Sequence, residues 1–230
     1  MTDFHQLKKS SLFVFKKLTE RKIARFITLS AIITYWTAFF SSLIITGLFG
    51  NNGYSPFNNL ISDLGSSKYS PIPFIFNFGC ILSGFLSIPI SFYIFRYIKY
   101  ELNTTLQHRK IFYFILYIIL FSGILGDIGF IGIGIFPLDR NLNNIHFLFA
   151  SFLFGGYYLS AFLIGILILF FKINLNKIIG LYGLCITIII LISMIIFVSV
   201  NIDFVFGEWI AHISLTIWLY TFLYSILKKN

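Results

Sequence analysis

Six long apolar runs dominate the sequence and constrain the fold more than any other feature. Each run is long enough to cross a hydrocarbon core of about 30 Å. Because lipid offers no partners to an open strand's backbone groups, each run must form a helix. The runs lie at about 26–49, 73–95, 111–136, 145–171, 178–200 and 208–227. The sequence therefore predicts an all-α, polytopic integral membrane protein built as a bundle of six transmembrane helices.

The composition agrees with a membrane protein and excludes most soluble folds. Apolar residues make up 58% of the 230 positions and charged residues only 11%, whereas soluble domains carry roughly 25% charged residues. The length predicts one transmembrane domain over 26–227, preceded by a basic arm over 1–25. That arm is either an interfacial helix or a solvated segment. Its apolar residues follow helical spacing only roughly: Phe4, Leu7, Leu12, Phe15 and Leu18.

Basic residues alternate from one side of the predicted bundle to the other. The N-terminal arm, the second and fourth connections and the C-terminal tail carry 15 of the 17 lysines and arginines, while the other connections hold only Lys68 and Arg140. The positive-inside rule therefore predicts cytoplasmic N and C termini in the cell membrane. In such a protein a formal charge of +9 indicates contact with anionic membrane lipids, so we expect no nucleic-acid partner. Membrane lipids are the expected partners, and the sequence does not identify any protein partner.

Acidic and imidazole side chains collect in the half of the bundle predicted to face outward. Asp127 lies about nine residues, or roughly 13 Å, inside the third span, where a lone carboxylate is costly. It shares a helical face with Gly123, Gly126 and Gly134, so we expect it to face the bundle interior. It is either a ligand, proton or substrate contact or a carboxyl that bonds a neighbouring helix. The candidate functional cluster is Asp63, Asp127, His146, Glu208 and His212.

A metal site is one interpretation of this cluster. Glu208 and His212 lie one turn apart on a common face, and a carboxylate and an imidazole at this spacing can bind a metal or form an ordinary interhelical hydrogen bond. A zinc-like divalent ion would require His146, His212 and Asp127 to converge. The spacing alone predicts no metal ligand set.

The first outward connection has the pattern of a short helix. Ser55 suits a helix cap, Pro56 suits a first turn and Gly65 suits the residue after a helix end, so a lid helix over about 56–64 is predicted. Its apolar side chains are expected to tuck into the outer leaflet or the mouth of the bundle, and its polar face to present Asn59, Ser62 and Asp63. Asn59, Ser62 and Asp139 are the candidate lid contacts. The lid either only packs or closes over a headgroup or active site.

Small and hydroxyl residues predict close helix contacts in the first two spans. One face of the second span carries Cys80, Ser83, Gly84, Ser87 and Ser91. One face of the first carries Ser30, Thr34, Thr37, Ala38 and Ser41.

Three segments carry a family resemblance: residues 59–65 (NLISDLG), residues 132–139 (GIGIFPLD) and residues 146–150 (HFLFA). They resemble the prokaryotic six-helix family called domain of unknown function 998, over most of the chain. That resemblance implies a six-span membrane protein without an agreed activity. Ile61, Ser62 and Asp63 are also similar, more distantly, to the eukaryotic family that includes the damage-regulated autophagy modulators, which hints at lipid-related membrane biology.

Three classes of function fit these observations. The first is a non-catalytic protein that binds lipid or a partner through its outward-facing mouth, favoured because no complete catalytic motif is present. The second is a metal-dependent membrane lipid hydrolase or transferase using His146 and His212. The third is a proton-coupled or cation-coupled carrier with Asp127 as its titrating group.

Overall fold

The computed structural model describes residues 16–50, 52–101, 109–140, 142–171, 173–200 and 205–228. Within them lie six helices that are long and apolar enough to cross a membrane, so the prediction of an all-α, multi-pass membrane protein is confirmed. The helices are α1 (Arg21–Phe49), α2 (Phe74–Tyr100), α3 (Arg109–Ile135), α4 (Ile145–Phe170), α5 (Lys177–Ser199) and α6 (Val205–Lys228). Most of the predicted interfacial arm, including Phe4, Leu7, Leu12 and Phe15, lies outside the described residues.

Consecutive helices pack side by side in the bundle. The two ends of the bundle differ. At the basic end, Arg96 near the close of α2 donates to the Thr19 hydroxyl just before α1, 2.7 Å away. At the opposite end, which we call the lid end, the residues between α1 and α2 meet the start of α6, and Ile61 N donates to Glu208 across 3.3 Å. The ends of the bundle therefore differ in charge and in structure.

The interface between α3 and α4 is the most extensive in the bundle, and glycine makes it possible. A Cβ on Gly129 would lie 2.6 Å from the Phe149 carbonyl oxygen, and one on Gly156 would lie 2.5 Å from the Ser122 carbonyl oxygen. Only a residue without a side chain allows backbones to approach so closely. Asp127 is held in this interior and has no exposed surface, as its glycine-rich face predicts.

The packing face predicted for α2 agrees with the structure better than the one predicted for α1. On α2, Cys80, Ser83 and Gly84 are buried, and the Ser83 hydroxyl donates to the Ala31 carbonyl oxygen of α1 at 3.4 Å. On α1 the predicted face is only partly correct: Ala38 is buried, Ser30, Thr34 and Ser41 are half-buried, and Thr37 is exposed. The buried stripe instead contains Ala24, Thr28, Ala31, Tyr35, Ala38, Phe39, Ser42 and Thr46. Six of these eight buried residues are alanine, serine or threonine, so small size was a correct signal, but the predicted face lies one position before the buried one.

The predicted continuous lid helix over 56–64 was also wrong in form. Residues 56–58 make a turn, Leu60 is extended, and a short 3-10 helix follows at Ile61–Gly65. The reason is local hydrogen bonding: the Asn59 side-chain oxygen accepts from Ser55 N at 3.0 Å, and Asp63 accepts from Leu60 N at 3.0 Å. Such side chains compete with the helical backbone. We call residues 54–70 the lid segment.

Candidate ligand cavity

A cavity of about 110 Å³ lies between α6, the first four helices and the lid segment. Its walls are mostly apolar, with Ile90, Leu153 and Leu219 among them. For scale, an engineered cavity of about 150 Å³ lined by apolar side chains holds one benzene molecule in another protein. The space therefore suits a short apolar group or part of a lipid chain.

A polar stripe on α6 faces this cavity. The stripe consists of four residues at intervals of four, all of which line the cavity: Glu208, His212, Thr216 and Tyr220. Positions four residues apart share one face of a helix, so the stripe follows directly from the sequence. The expectation that Glu208 and His212 lie on a common face is confirmed.

Aromatic side chains of α1 close the gap to α6 near the lid end. Tyr35 Oη and His212 Nε2 are 2.9 Å apart, and Trp36 Nε1 donates to Tyr220 Oη at 2.8 Å. Phe39 packs against the rings of both His212 and Trp209. The polar stripe is therefore tied to α1 through side chains rather than by backbone contact.

Two adjacent residues of α6 hold the lid segment over the cavity. Glu208 accepts a hydrogen bond from Ile61 N at 3.3 Å, and Trp209 Nε1 donates to the Asn59 carbonyl oxygen at 2.9 Å. We call these two bonds the latch. Because Ile61 and Ser62 also line the cavity, the latch places the lid segment directly above the polar stripe.

The polar side chains of the lid segment mostly serve its own structure. Asn59, Ser62 and Asp63 are all buried, so the polar face predicted for the lid lies against the protein. The Asn59 amide donates to Asp63 at 3.3 Å. Burial raises the pKa of Asp63, although hydrogen bonds from Asn59 and Leu60 oppose this shift. Of these three side chains, Ser62 lines the cavity.

Asp139 fastens the far end of the lid segment to the connection between α3 and α4. Its carboxylate accepts from Ser67 N at 2.9 Å and also from the Ser67 hydroxyl. Partial burial would raise the pKa of Asp139, but the hydrogen bonds from Ser67 outweigh it and lower the pKa. Asp139 is itself exposed, so it supports the lid segment from outside.

His146 and Asp127 lie on different parts of the bundle interior. His146 lines the main cavity, and its Nδ1 donates to the Phe136 carbonyl oxygen at 2.7 Å, because a carbonyl can only accept. Asp127 instead lines a smaller cavity of about 60 Å³ farther from the lid segment. Tyr157 forms a wall of both cavities and donates to Asp127 at 2.7 Å.

A metal site would require several His, Asp or Glu side chains to lie close together, and the structure does not bring them together in the residues that it describes. Within the described part of the chain, no group of three or more His, Cys, Asp or Glu side chains is arranged to hold a metal ion. His146 uses Nδ1 on a carbonyl, and both oxygens of Asp127 accept from hydroxyl groups. The convergence of Asp127, His146 and His212 that a metal site would require is therefore not found among the described residues.

Sequence reasoning missed the aromatic residues that shape the site. The polar groups are joined to one another by four aromatic residues: Tyr35, Trp36, Tyr157 and Trp209. Aromatic residues make up 20% of this chain. At that frequency an aromatic residue inside a span carries little information. The usable signal was positional: Trp209 directly follows Glu208, and Tyr220 continues its four-residue spacing.

In the part of the chain that the structure describes, six long apolar helices typical of a membrane protein surround a largely apolar internal space beneath the latched lid segment. The family model described as "Protein of unknown function (DUF998)" matches residues 36–227, and the chain belongs to that family. No curated protein and no solved structure matches the chain.

Proposed function

We propose that this protein binds a membrane amphiphile, with part of its apolar chain in the main cavity and the polar part against Glu208, His212 and Ser62. The observation that carries the proposal is a space with apolar walls in its interior and a polar group at the lid end. Ligand sites typically combine apolar walls with a few convergent polar groups. The proposed role is binding, not catalysis.

The charge of the site indicates the chemistry of the bound head. Among the described residues that line the main cavity there is no lysine or arginine, whereas Glu208 contributes a carboxyl group. Asp63 lies in the same lid segment that Glu208 holds. An anionic phosphate would meet no lysine or arginine there, so the geometry favours an uncharged or cationic head that donates hydrogen bonds, such as a polyol or an amine.

The packing of α6 supports entry of this ligand from the side. α6 contacts α1 at few positions, while α3 and α4 pack over a long interface. The bonds between α1 and α6 are made by side chains, such as Trp36 to Tyr220. Rotating these side chains would separate the two helices without breaking any backbone hydrogen bond, which gives a lipid chain access from the bilayer.

The orientation is part of the same proposal: both termini face the cytoplasm and the lid segment faces outward across the cell membrane. The concentration of basic residues at one end of the bundle supports it. In a Cys185→Ser background, Lys68→Cys at the lid end and Lys99→Cys at the basic end provide matched, exposed positions. A membrane-impermeant thiol reagent applied to intact cells should label only the first. Labelling of only the cysteine at position 99 would show that the orientation is the opposite of the proposed one.

Photocrosslinking tests where the ligand binds. Monoacylglycerol with a photoreactive group in its chain supplies a polyol head and an apolar tail, and the protein would be reconstituted in vesicles that contain it. Peptide mass spectrometry should find adducts on Leu215 and Leu219, which line the cavity. Vesicle lipid also touches the outside of α6, so exposed Ile213 and Ile217 report background labelling.

Competition separates the site from this background. Excess unlabelled monoacylglycerol should remove adducts at the cavity positions and leave those at the exposed positions unchanged. Equal loss at both sets, or no adducts at Leu215 and Leu219, would contradict the proposal. A phosphatidic acid competitor that displaces the probe equally well would contradict the predicted preference for a head without negative charge.

A further inference from the structure

Asp127 is a carboxyl group enclosed in the middle of the bundle. It has no exposed surface, and each of its oxygens accepts one hydrogen bond from a hydroxyl group. Ser91 Oγ donates across 2.8 Å from α2, and Tyr157 Oη donates across 2.7 Å from α4. The main cavity and its proposed ligand do not account for this arrangement.

The groups that face Asp127 are uncharged on every helix packed around it. From α2 come Ser87 and Ser91, and from α4 come Tyr157 and Ser160, while α6 contributes only apolar and indole side chains to the smaller cavity. Among the described residues that line this cavity, Tyr157 is the only titratable group besides Asp127 itself. No lysine, arginine or histidine is among them to balance a negative charge.

An ionised Asp127 would therefore be poorly stabilised. Moving a carboxylate from water into an apolar interior costs several kcal/mol even after the protein relaxes. Hydrogen bonds from neutral hydroxyl groups contribute only about 0.5–1.5 kcal/mol each. Two such bonds do not offset the cost, so the neutral acid is the favoured form.

The surroundings also accommodate the neutral acid without leaving a polar atom unpaired. A serine hydroxyl can accept as well as donate. The Asp127 carboxyl can donate its proton to Ser91 Oγ, while Ser91 turns its own hydrogen toward the carbonyl one turn earlier, a common bond for serine in helices. Tyr157 continues to donate to the other oxygen.

Glycines on α3 provide room for these partners. A Cβ on Gly123 would lie 3.1 Å from Ser91 Oγ, and one on Gly126 would lie 2.6 Å from the ring of Tyr157. The smaller cavity of about 60 Å³ adjoins the carboxyl, and a water molecule needs only about 10–15 Å³ of such space. Tyr157 lines both this cavity and the main one, so its hydroxyl connects Asp127 with the main cavity.

We propose that Asp127 is a proton-binding site in the interior of the bundle, occupied at neutral pH, with Tyr157 and Ser91 as its hydrogen-bond partners. Its ligand is a proton, and Tyr157 links it to the main cavity. The site does not depend on the identity, or the existence, of an amphiphile bound above it.

Infrared spectroscopy of the purified, reconstituted protein measures this proton directly. At neutral pH the wild type should show the C=O stretching band of a protonated carboxylic acid, and Asp127→Asn should lose that component. Glu208→Gln is the matched control, because it removes a different buried carboxyl and should leave the Asp127 component in place. A wild-type spectrum from which Asp127→Asn removes no protonated-acid band at neutral pH would overturn the proposal.

Tyr157→Phe keeps the aromatic ring and removes only the hydroxyl, so it tests the site even if Asp127→Asn fails to fold. The protonated-acid band should persist and move to higher wavenumber, because the C=O group loses a donor. A band that does not move would overturn the assignment of the proton to Asp127.

Discussion

The α3–α4 interface and the seam along α6 pack helices in two different ways. Between α3 and α4, glycines bring backbones together, and even a single added carbon would collide with the neighbouring helix. Along α6, side chains span the distance, as in the Tyr35 to His212 contact, and a cavity remains. In lipid, helix association depends on close packing and interhelical hydrogen bonds. The first interface therefore acts as a scaffold, while the second leaves room for a ligand.

Damage to the scaffold should have the largest effect on stability. Gly129→Ala places a Cβ 2.6 Å from the Phe149 carbonyl oxygen and 2.8 Å from Leu153 Cα, and backbone atoms cannot move aside as a side chain can. Overpacking of this kind costs about 1–3 kcal/mol or more, and about 2–4 °C of Tm is lost per kcal/mol at this chain length. Thermal unfolding in detergent should show this decrease.

Gly155→Ala is the control for that measurement. It makes the same chemical change on α4, but a Cβ at Gly155 has nothing within 4 Å, so Tm should hardly change. An equal Tm for the two variants would mean that the close α3–α4 contact does not stabilise the fold.

Loss of one latch bond should have an intermediate, local effect. Trp209→Phe removes the indole N–H that donates a hydrogen bond to the buried Asn59 carbonyl oxygen. Leaving such an acceptor unpaired costs about 1–3 kcal/mol. Since about 1.4 kcal/mol corresponds to a factor of ten, amide hydrogen exchange at Ile61–Gly65 should accelerate about tenfold.

Trp218→Phe removes a similar indole bond, to the Ile179 carbonyl oxygen at 3.0 Å, far from the lid segment. Its lid amides should exchange at the wild-type rate. Identical lid exchange in Trp209→Phe and wild type would show that the latch does not hold the lid segment.

The smallest effect should be an opposite pH dependence at two positions of the lid end. The pKa of Asp139 is lowered from 3.8, so its stabilisation is complete above that value and is lost as the pH falls through the lowered pKa. The pKa of Asp63 is raised from 3.8, so its stabilisation is complete below that value and is lost as the pH rises through the raised pKa.

Thermal unfolding across acidic pH measures these signs. As the pH rises, Tm of Asp139→Asn should fall relative to wild type, while Tm of Asp63→Asn should rise relative to wild type. Slopes of the same sign for both variants would contradict the different environments assigned to the two carboxyl groups.

The helices and part of the site were predictable because single physical rules determine them. Lipid forces long apolar runs to be helices, and a glycine-rich face around Asp127 indicates the interior. The four-residue spacing of Glu208 and His212 likewise placed both on one face. The lid segment and the buried stripe of α1 were not predictable in the same way. The form of the lid segment depends on competition between the backbone and side chains such as Asn59 and Asp63. The position of the buried stripe depends on which side of α1 meets the other helices.

The most direct test of the central claim is the amount of lipid bound to a variant whose cavity is filled. Thr216→Phe places a ring in the main cavity, while Ile217→Phe adds one on the exposed side of the same turn of α6. Native mass spectrometry of both variants, after equal detergent washing in the presence of monoacylglycerol, compares their occupancy with that of wild type. We predict that bound lipid is lost in Thr216→Phe and retained in Ile217→Phe. Equal retention in a folded Thr216→Phe, or the absence of bound lipid in wild type, would contradict the account.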